Sequence, residues 1–328
     1  MFPSLKCSVA ENVYFCNIFL VFYVIVIKNK HSILEVSKKC GDYRKGREGM
    51  KEMKIYAFAD EASANVDQQI VAMKRNGLQG LEIRNVDGVN ISDITVEKAK
   101  EVHQKLKEAG LVVWSIGSPL GKVGIEDDFE AHMAKFKHTL EIAKLLECNN
   151  IRLFSFYLPG DKEPERYHDE VICRLKKMVE AAKGSGIDLC HENEKGIYGD
   201  VAKRCLEIHK EIPELKGIFD PANFVQCGQD TLEAWELLQP YIKYLHIKDA
   251  LADGMVVPAG AGIGHLKKIL DAFRAKGGAE VTVEPHLTVF EGLRELEGNS
   301  REVKVQEFKY PDADTAFDVA CNALKELF

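Results

Sequence analysis

A chain of 328 residues with 44 Lys/Arg against 51 Asp/Glu carries a formal net charge of −7, which excludes a general attraction to nucleic-acid phosphate. Its apolar content of 46% is that of a folded domain and excludes a disordered chain. The nine cysteines include no C-x-x-C pair and no regular spacing, and Cys148, Cys173, Cys190 and Cys205 sit in apolar stretches. They read as reduced residues of a cytoplasmic protein and not as a disulfide framework.

The first 52 residues stand apart. Residues 13–27 (VYFCNIFLVFYVIVI) are an apolar run of fifteen followed by Lys28 and Lys30. A spanning helix needs about 20 residues, and no small-x-small cleavage site follows. Nine Lys/Arg and five Asp/Glu fall in residues 1–52, so the remainder is more acidic than the whole. Arg47-Glu48-Gly49 stands just before Met50 and Met53, and that tripeptide can be encoded by a purine-rich stretch like a bacterial ribosome-binding site. The favoured reading is a translation start at Met50 or Met53, with a membrane anchor or a folded extension as alternatives. The expected division is therefore an N-terminal extension, 1–52, and one body, 53–328, close to the roughly 250 residues of a single barrel.

From Lys54 onward, short apolar runs alternate with amphipathic ones. Strands are expected at 54–59 and 80–84, a helix at 96–109, and a strand at 112–117. Next comes a helix at 130–146, where Met133, Phe136, Leu140, Ala143 and Leu146 recur at three- and four-residue steps. The pattern continues with a strand at 151–157, a helix at 165–183, a strand at 187–192 and a helix at 201–211. A strand at 216–220, a helix at 232–238, a strand at 242–247, a helix at 266–275 and a strand at 280–284 complete it. Residues 291–310 read as a charged, irregular excursion before a last helix at 315–327. Gly110, Gly186 and Gly277-Gly278 stand where helices should stop. Strand–helix alternation implies parallel strands, and eight such units point to an α/β fold, a closed (β/α)8 TIM barrel. A doubly wound open sheet is the alternative.

In such a barrel the active site lies at the C-terminal strand ends. Strands five to eight end in Leu189-Cys190-His191-Glu192, Gly217-Ile218-Phe219-Asp220, Tyr244-Leu245-His246 and Val281-Thr282-Val283-Glu284. Side chains alternate along a strand. If the valines and Leu189, Phe219 and Leu245 pack outward on helices, then Glu192, Asp220, His246 and Glu284 point inward. Three carboxylates and one imidazole suit Mn²⁺, Mg²⁺ or Co²⁺ better than structural zinc.

The segments HENEKG, FDPANF, YLHIKDA, VPAGAGIG and VTVEPHL occur in the order seen in the xylose isomerase-like TIM-barrel superfamily, and the chain resembles its sugar phosphate isomerase/epimerase branch over 53–328. The resemblance implies that Glu192, Asp220, His246 and Glu284 bind one divalent metal, with Mn²⁺ expected first. It implies an isomerase or epimerase of sugars or sugar phosphates that works by proton transfer through an enediolate held by that metal. Glu192 and Glu284 are then also the catalytic acid–base pair. Many relatives carry a histidine three residues after the strand-six Asp; here that position is Asn223, which leaves the substrate open. The expected partner is a small sugar or cyclitol; a homo-oligomer is compatible with the chain.

Other residues carry competing readings. Lys248 and His286 are candidate substrate contacts, as are Asn223 and Arg84, although Arg84, with Glu82 on the same face, fits a structural ion pair equally well. His191 should face the helices or the rim. Asp249 is either a supporting partner of the site or a helix-start residue, and the glycine loop at 257–264 is either a phosphate cradle or a plain loop. Phe58 and Trp114 either wall a sugar ring or fill the barrel. The alternative functions are an inosose-type cyclitol dehydratase or isomerase, an endonuclease IV-type nuclease, and a non-catalytic sugar-binding barrel. The nuclease needs three metals and more histidines than these strand ends supply.

Overall fold

The computed structural model describes residues 51–160, 163–289 and 310–328. The apolar run at 13–27 and almost all of the charged excursion at 291–310 lie outside the described residues. Eight parallel strands close into a barrel: β1 (Lys54–Ala57), β2 (Gly80–Ile83), β3 (Val112–Ile116), β4 (Asn150–Leu153), β5 (Asp188–Glu192), β6 (Lys216–Phe219), β7 (Ile242–Ile247) and β8 (Glu280–Val283). Closure is made by β1 against β8, in register from Lys54↔Glu280 to Ala57↔Val283. The surrounding helices are α1 (Val66–Arg75), α2 (Val96–Ala109), α3 (Phe129–Leu145), α4 (His168–Ala182), α5 (Ala202–Glu211), α6 (Thr231–Leu238), α7 (Leu266–Ala275) and α8 (Ala313–Lys325).

Strand alternation divides the core in two. The outward set, including Leu81, Ile83, Ile151, Leu153, Leu189, Phe219, Leu245, Val281 and Val283, packs with the inner faces of the helices into one apolar layer. The inward set is smaller: Cys190, Ile218 and Tyr244, with Trp114 against them. A register shift between β2 and β3 sets Leu81 opposite Val113 and Glu82 opposite Ser115. The bulge turns Trp114 and Ser115 both into the barrel, where Trp114 stacks on Tyr56 with centroids 4.8 Å apart. Trp114 therefore fills the barrel floor.

Two elements escape the sequence pattern. The stripe of α1 that faces the barrel runs Val66, Gln69, Ala72, Met73. Gln69 interrupts it, buried because its amide donates to the carbonyls of Ala64 and Asn85, while Val71 is exposed. Both depart from the helical period of apolar residues. The second is a short helix, Pro221–Gln226. Strand β6 stops at Phe219 because Asp220 already caps this helix: its Oδ1 accepts from the Asn223 N–H at 2.9 Å, and Pro221 suits the first helical position.

We propose Met53 as the functional boundary, since β1 starts at Lys54. A chain beginning there should melt at the same temperature as the full one in a calorimetric scan. A clear drop, or aggregation, would make the extension part of the fold.

Candidate metal centre and active site

The strand ends bring four side chains together. Donor atoms of Glu192, Asp220, His246 and Glu284 lie within 4.8 Å of one another, all buried. Their order follows from the barrel: β5, β6, β7 and β8 are consecutive neighbours, and each residue sits within one position of its strand's end with its side chain inward. His246 presents Nδ1 to the cluster, 2.9 Å from Glu192 Oε1, 3.6 Å from Glu284 Oε2 and 4.0 Å from Asp220 Oδ2. Its Nε2 lies 3.0 Å from Glu82 Oε2. Glu82 in turn accepts from Tyr244 OH at 2.9 Å. A carboxylate on the far nitrogen fixes the imidazole's orientation and raises its basicity, as outer partners of metal-binding histidines do.

Three cations are buried among these acids. Lys248 Nζ lies 2.7 Å from Glu284 Oε2 and 2.8 Å from Asp220 Oδ2. Arg152 Nη1 lies 3.1 Å from Glu192 Oε2 and 3.8 Å from Glu284 Oε1. Arg84 binds Asp60 at 2.8 Å and Glu61 at 3.1 Å and reaches Glu284 at 3.5 Å. The guanidinium carbons of Arg84 and Arg152 lie over the Phe58 ring, 4.5 Å and 4.8 Å from its centroid, and Phe58 makes an edge contact with His246. It belongs to the site, unlike Trp114.

The electrostatics follow from burial and from these pairs. Burial opposes ionisation of Glu284 most strongly, but Lys248, His286, His246 and Arg152 beside it together outweigh burial and hold the carboxyl well below the usual range. Asp220 moves the other way: burial raises it, and Glu284 and Glu192 add to the rise against Lys248. Burial disfavours charged His246, yet Glu192 and Glu82 push it up to about 10. Burial carries Glu61 up to about 8 despite the opposing charge of Arg84. Burial also takes the His286 imidazole well below its usual range.

The donor set fits a divalent cation. With every acid ionised, six buried carboxylates, Asp60, Glu61, Glu82, Glu192, Asp220 and Glu284, would outnumber the three permanent cations, Arg84, Arg152 and Lys248. Without a metal, protons held by His246 and Glu61 offset the excess, and a dication can take the place of such protons. Asp220 Oδ2 is buried without a well-directed hydrogen bond, although Lys248 Nζ is near. Hard oxygens plus one imidazole suit Mn²⁺, Mg²⁺ or Co²⁺. A second group of potential ligands, Glu61, Glu284 and His286, already has the Arg84 guanidinium against both of its glutamates.

Of the expected substrate contacts, Lys248 and Arg84 touch the cluster directly. His286 lies 3.7 Å from Glu284 through Nδ1, its backbone N–H held by Glu61 at 2.6 Å. Asn223 donates to Glu192 at 3.3 Å and to the Asn193 carbonyl at 2.9 Å, so it steadies a proposed ligand. His191 points out of the barrel, bonding Ser155 Oγ at 3.0 Å and packing on His209. Asp60, Glu61 and Arg152 were not anticipated. They stand on β4 and after β1, whose ends carry no metal-ligand pattern. The signal was there for Arg152: Ile151 and Leu153 face outward, so an arginine between them must enter the barrel and find acids.

The glycine loop is not a phosphate cradle. Its amides already hold an anion: Asp249 accepts from the N–H groups of Gly260 at 3.0 Å, Gly262 at 3.1 Å, Gly264 at 2.9 Å and Ala250 at 2.9 Å. A Cβ at Gly262 or Gly264 would stand 2.3 Å or 2.6 Å from that carboxylate, so glycine is required by close approach. Replacing Asp249 with Ala should cost about 3 kcal/mol in denaturant unfolding, since orphaned buried amides cost roughly 1–3 kcal/mol each. A loss under about 1 kcal/mol would show that water replaces the carboxylate.

Comparison with known proteins agrees with the barrel fold. A 3-dehydroshikimate dehydratase of Bacillus anthracis is 22% identical over 176 residues, which cover 53% of this chain and 62% of that protein, less than two thirds of its length. The solved IOLI protein with a bound zinc atom superposes with a TM-score of 0.63 at 14% identity, covering 84% of this chain and 98% of that one. The 3-keto-D-glucoside 4-epimerase YcjR from E. coli gives a TM-score of 0.60 at 16% identity, covering 84% and 99%. At these identities the two structures speak for the fold alone. The family model described as xylose isomerase-like TIM barrel matches residues 70–302, well over half of the chain, and this protein therefore belongs to the xylose isomerase-like TIM-barrel family.

Proposed function

We propose that the protein is a divalent-metal-dependent isomerase or epimerase of a sugar or sugar phosphate, acting by proton transfer at a carbon beside a carbonyl. The observation that carries the reading is the convergence of Glu192, Asp220, His246 and Glu284 within 4.8 Å, with Arg152 reaching both glutamates. Bound by these four, a divalent ion supplies Lewis acidity that makes the neighbouring C–H acidic enough to remove. Glu284, held ionised by Lys248, is suited to accept that proton. For isomerisation Glu284 returns that proton to the adjoining carbon while Glu192 carries the hydroxyl proton across to the former carbonyl oxygen. For epimerisation Glu192, protonated beforehand from solvent, gives its proton to the opposite face, and Glu284 releases the one it took to solvent. Arg152 keeps both glutamates oriented, and Lys248 is placed to donate a hydrogen bond to developing oxyanion charge. Asp220 and His246 serve as ligands.

A second reading, loss of water from an inosose-type cyclitol or a 3-dehydroshikimate-like compound, is favoured by the sequence match to a dehydratase. It begins with the same proton abstraction, and Lys248 beside Glu284 could then protonate the departing hydroxyl. A panel of sugars, sugar phosphates and cyclitols with Mn²⁺ in D₂O separates the two. Isomerase or epimerase activity gives deuterium at the α-carbon with no water lost. Dehydration gives a conjugated, ultraviolet-absorbing product. Neither signal with any member would count against proton-transfer chemistry.

A further inference from the structure

We infer that Lys248 is a built-in competitor for the metal, weakening the cluster's hold on it. The inference rests on the metal-binding reading of the four residues above. The donors fall into two halves. Glu192 Oε1 and His246 Nδ1 lie 2.9 Å apart on one side. On the other, the Lys248 ammonium contacts Glu284 Oε2 at 2.7 Å and Asp220 Oδ2 at 2.8 Å. The same carboxylate oxygens that would coordinate a cation are thus claimed by a permanent one.

The backbone holds the base of the Lys248 side chain beside the cluster. Lys248 is two residues beyond His246 on the same inward face, and it is buried. Its neighbour Asp249 is pinned by the four amides of the glycine loop and its own chain. A dication in the cluster therefore shares Asp220 and Glu284 with a fixed positive charge a few ångströms away, in a buried site where repulsion is poorly screened. Arg152 and Arg84 add to the same effect, but their guanidinium groups also bind acids outside the set or the Gly117 carbonyl. Of these three cations, Lys248 is the one whose ion pairs among the described residues, with Asp220 and Glu284, are both with proposed ligands.

The test is metal affinity, measured on the full chain with Mn²⁺ by calorimetry at about pH 8, where protons compete less for the ligands. Lys248→Met and Lys248→Gln should each bind Mn²⁺ at least about tenfold more tightly than the parent. Lys248→Arg, which keeps the charge, should bind as the parent does, separating charge from packing. The rise in melting temperature on adding Mn²⁺ should also be larger for Met and Gln variants, because ligand stabilisation follows affinity; this reads out even if a metal-free variant is too unstable for calorimetry. As a control, Lys105→Met, which removes a surface cation paired with Asp67, should change nothing. Equal or weaker affinity in the neutral variants overturns the competitor role while leaving the metal site standing. No Mn²⁺ binding by any of the proteins would overturn the metal site itself.

Discussion

Changing Glu192 or Glu284 to glutamine is expected to reduce turnover about 10²–10⁴-fold, the usual cost of one lost general acid or base, while most of the metal stays bound. Glutamine keeps the shape and one carbonyl oxygen for coordination but cannot accept a proton. The two variants should not be equivalent. If the substrate is epimerised, each blocks proton exchange from one face, so each should leave a different epimer able to exchange its α-proton with D₂O. Glu284→Gln also removes an anion from Lys248, Arg152 and Arg84 together, and should cost more stability than Glu192→Gln. Near-parental turnover in both, with metal present, would move proton transfer to Lys248 or His286.

Losing a ligand should have a different signature. Asp220→Asn or His246→Ala is expected to weaken metal binding by more than about 100-fold, since loss of an outer partner alone typically costs about 10–100-fold. Asparagine is the better probe at Asp220 because it can still cap the short helix through the Asn223 N–H. Excess Mn²⁺ should restore part of the rate in these variants and none in the glutamine pair. Affinity should also depend on pH in a defined direction. Without metal, His246 titrates at about 10 because Glu192 and Glu82 stabilise its charge over the opposing effect of burial. Below that pH, binding at Nδ1 must expel a proton, so affinity falls as pH falls, by about tenfold per unit. Calorimetry in buffers of different ionisation enthalpy should count about one proton released near pH 8, and more at lower pH as Asp220, raised by burial and its acidic neighbours, also becomes protonated. Affinity flat with pH would show that His246 is not a ligand. Glu82→Gln should weaken the metal about 10–100-fold, and no change would make Glu82 a purely structural partner.

Much of this was legible in the chain. Period-two alternation along short strands is a local property, and at β5 to β8 it specifies which side chains enter the barrel without knowledge of any contact. Hence Glu192, Asp220, His246 and Glu284 could be grouped before their distances were known. The eight-unit alternation set the number of strands for the same reason. What local pattern could not carry was the partner of each inward charge. Glu82 meets His246 across 164 positions of sequence, and Arg84 meets Glu284 across 200, pairs created only when the sheet closes. The bulge that turns both Trp114 and Ser115 inward depends on the neighbouring strand, so the roles of Trp114 and Phe58 were undecided by pattern. The glycine loop shows the limit most clearly. Its spacing promises an array of amides suited to an anion, and the array exists. Which anion fills it depends on Asp249 of another segment arriving first, because a buried amide must find an acceptor and the chain provides one of its own.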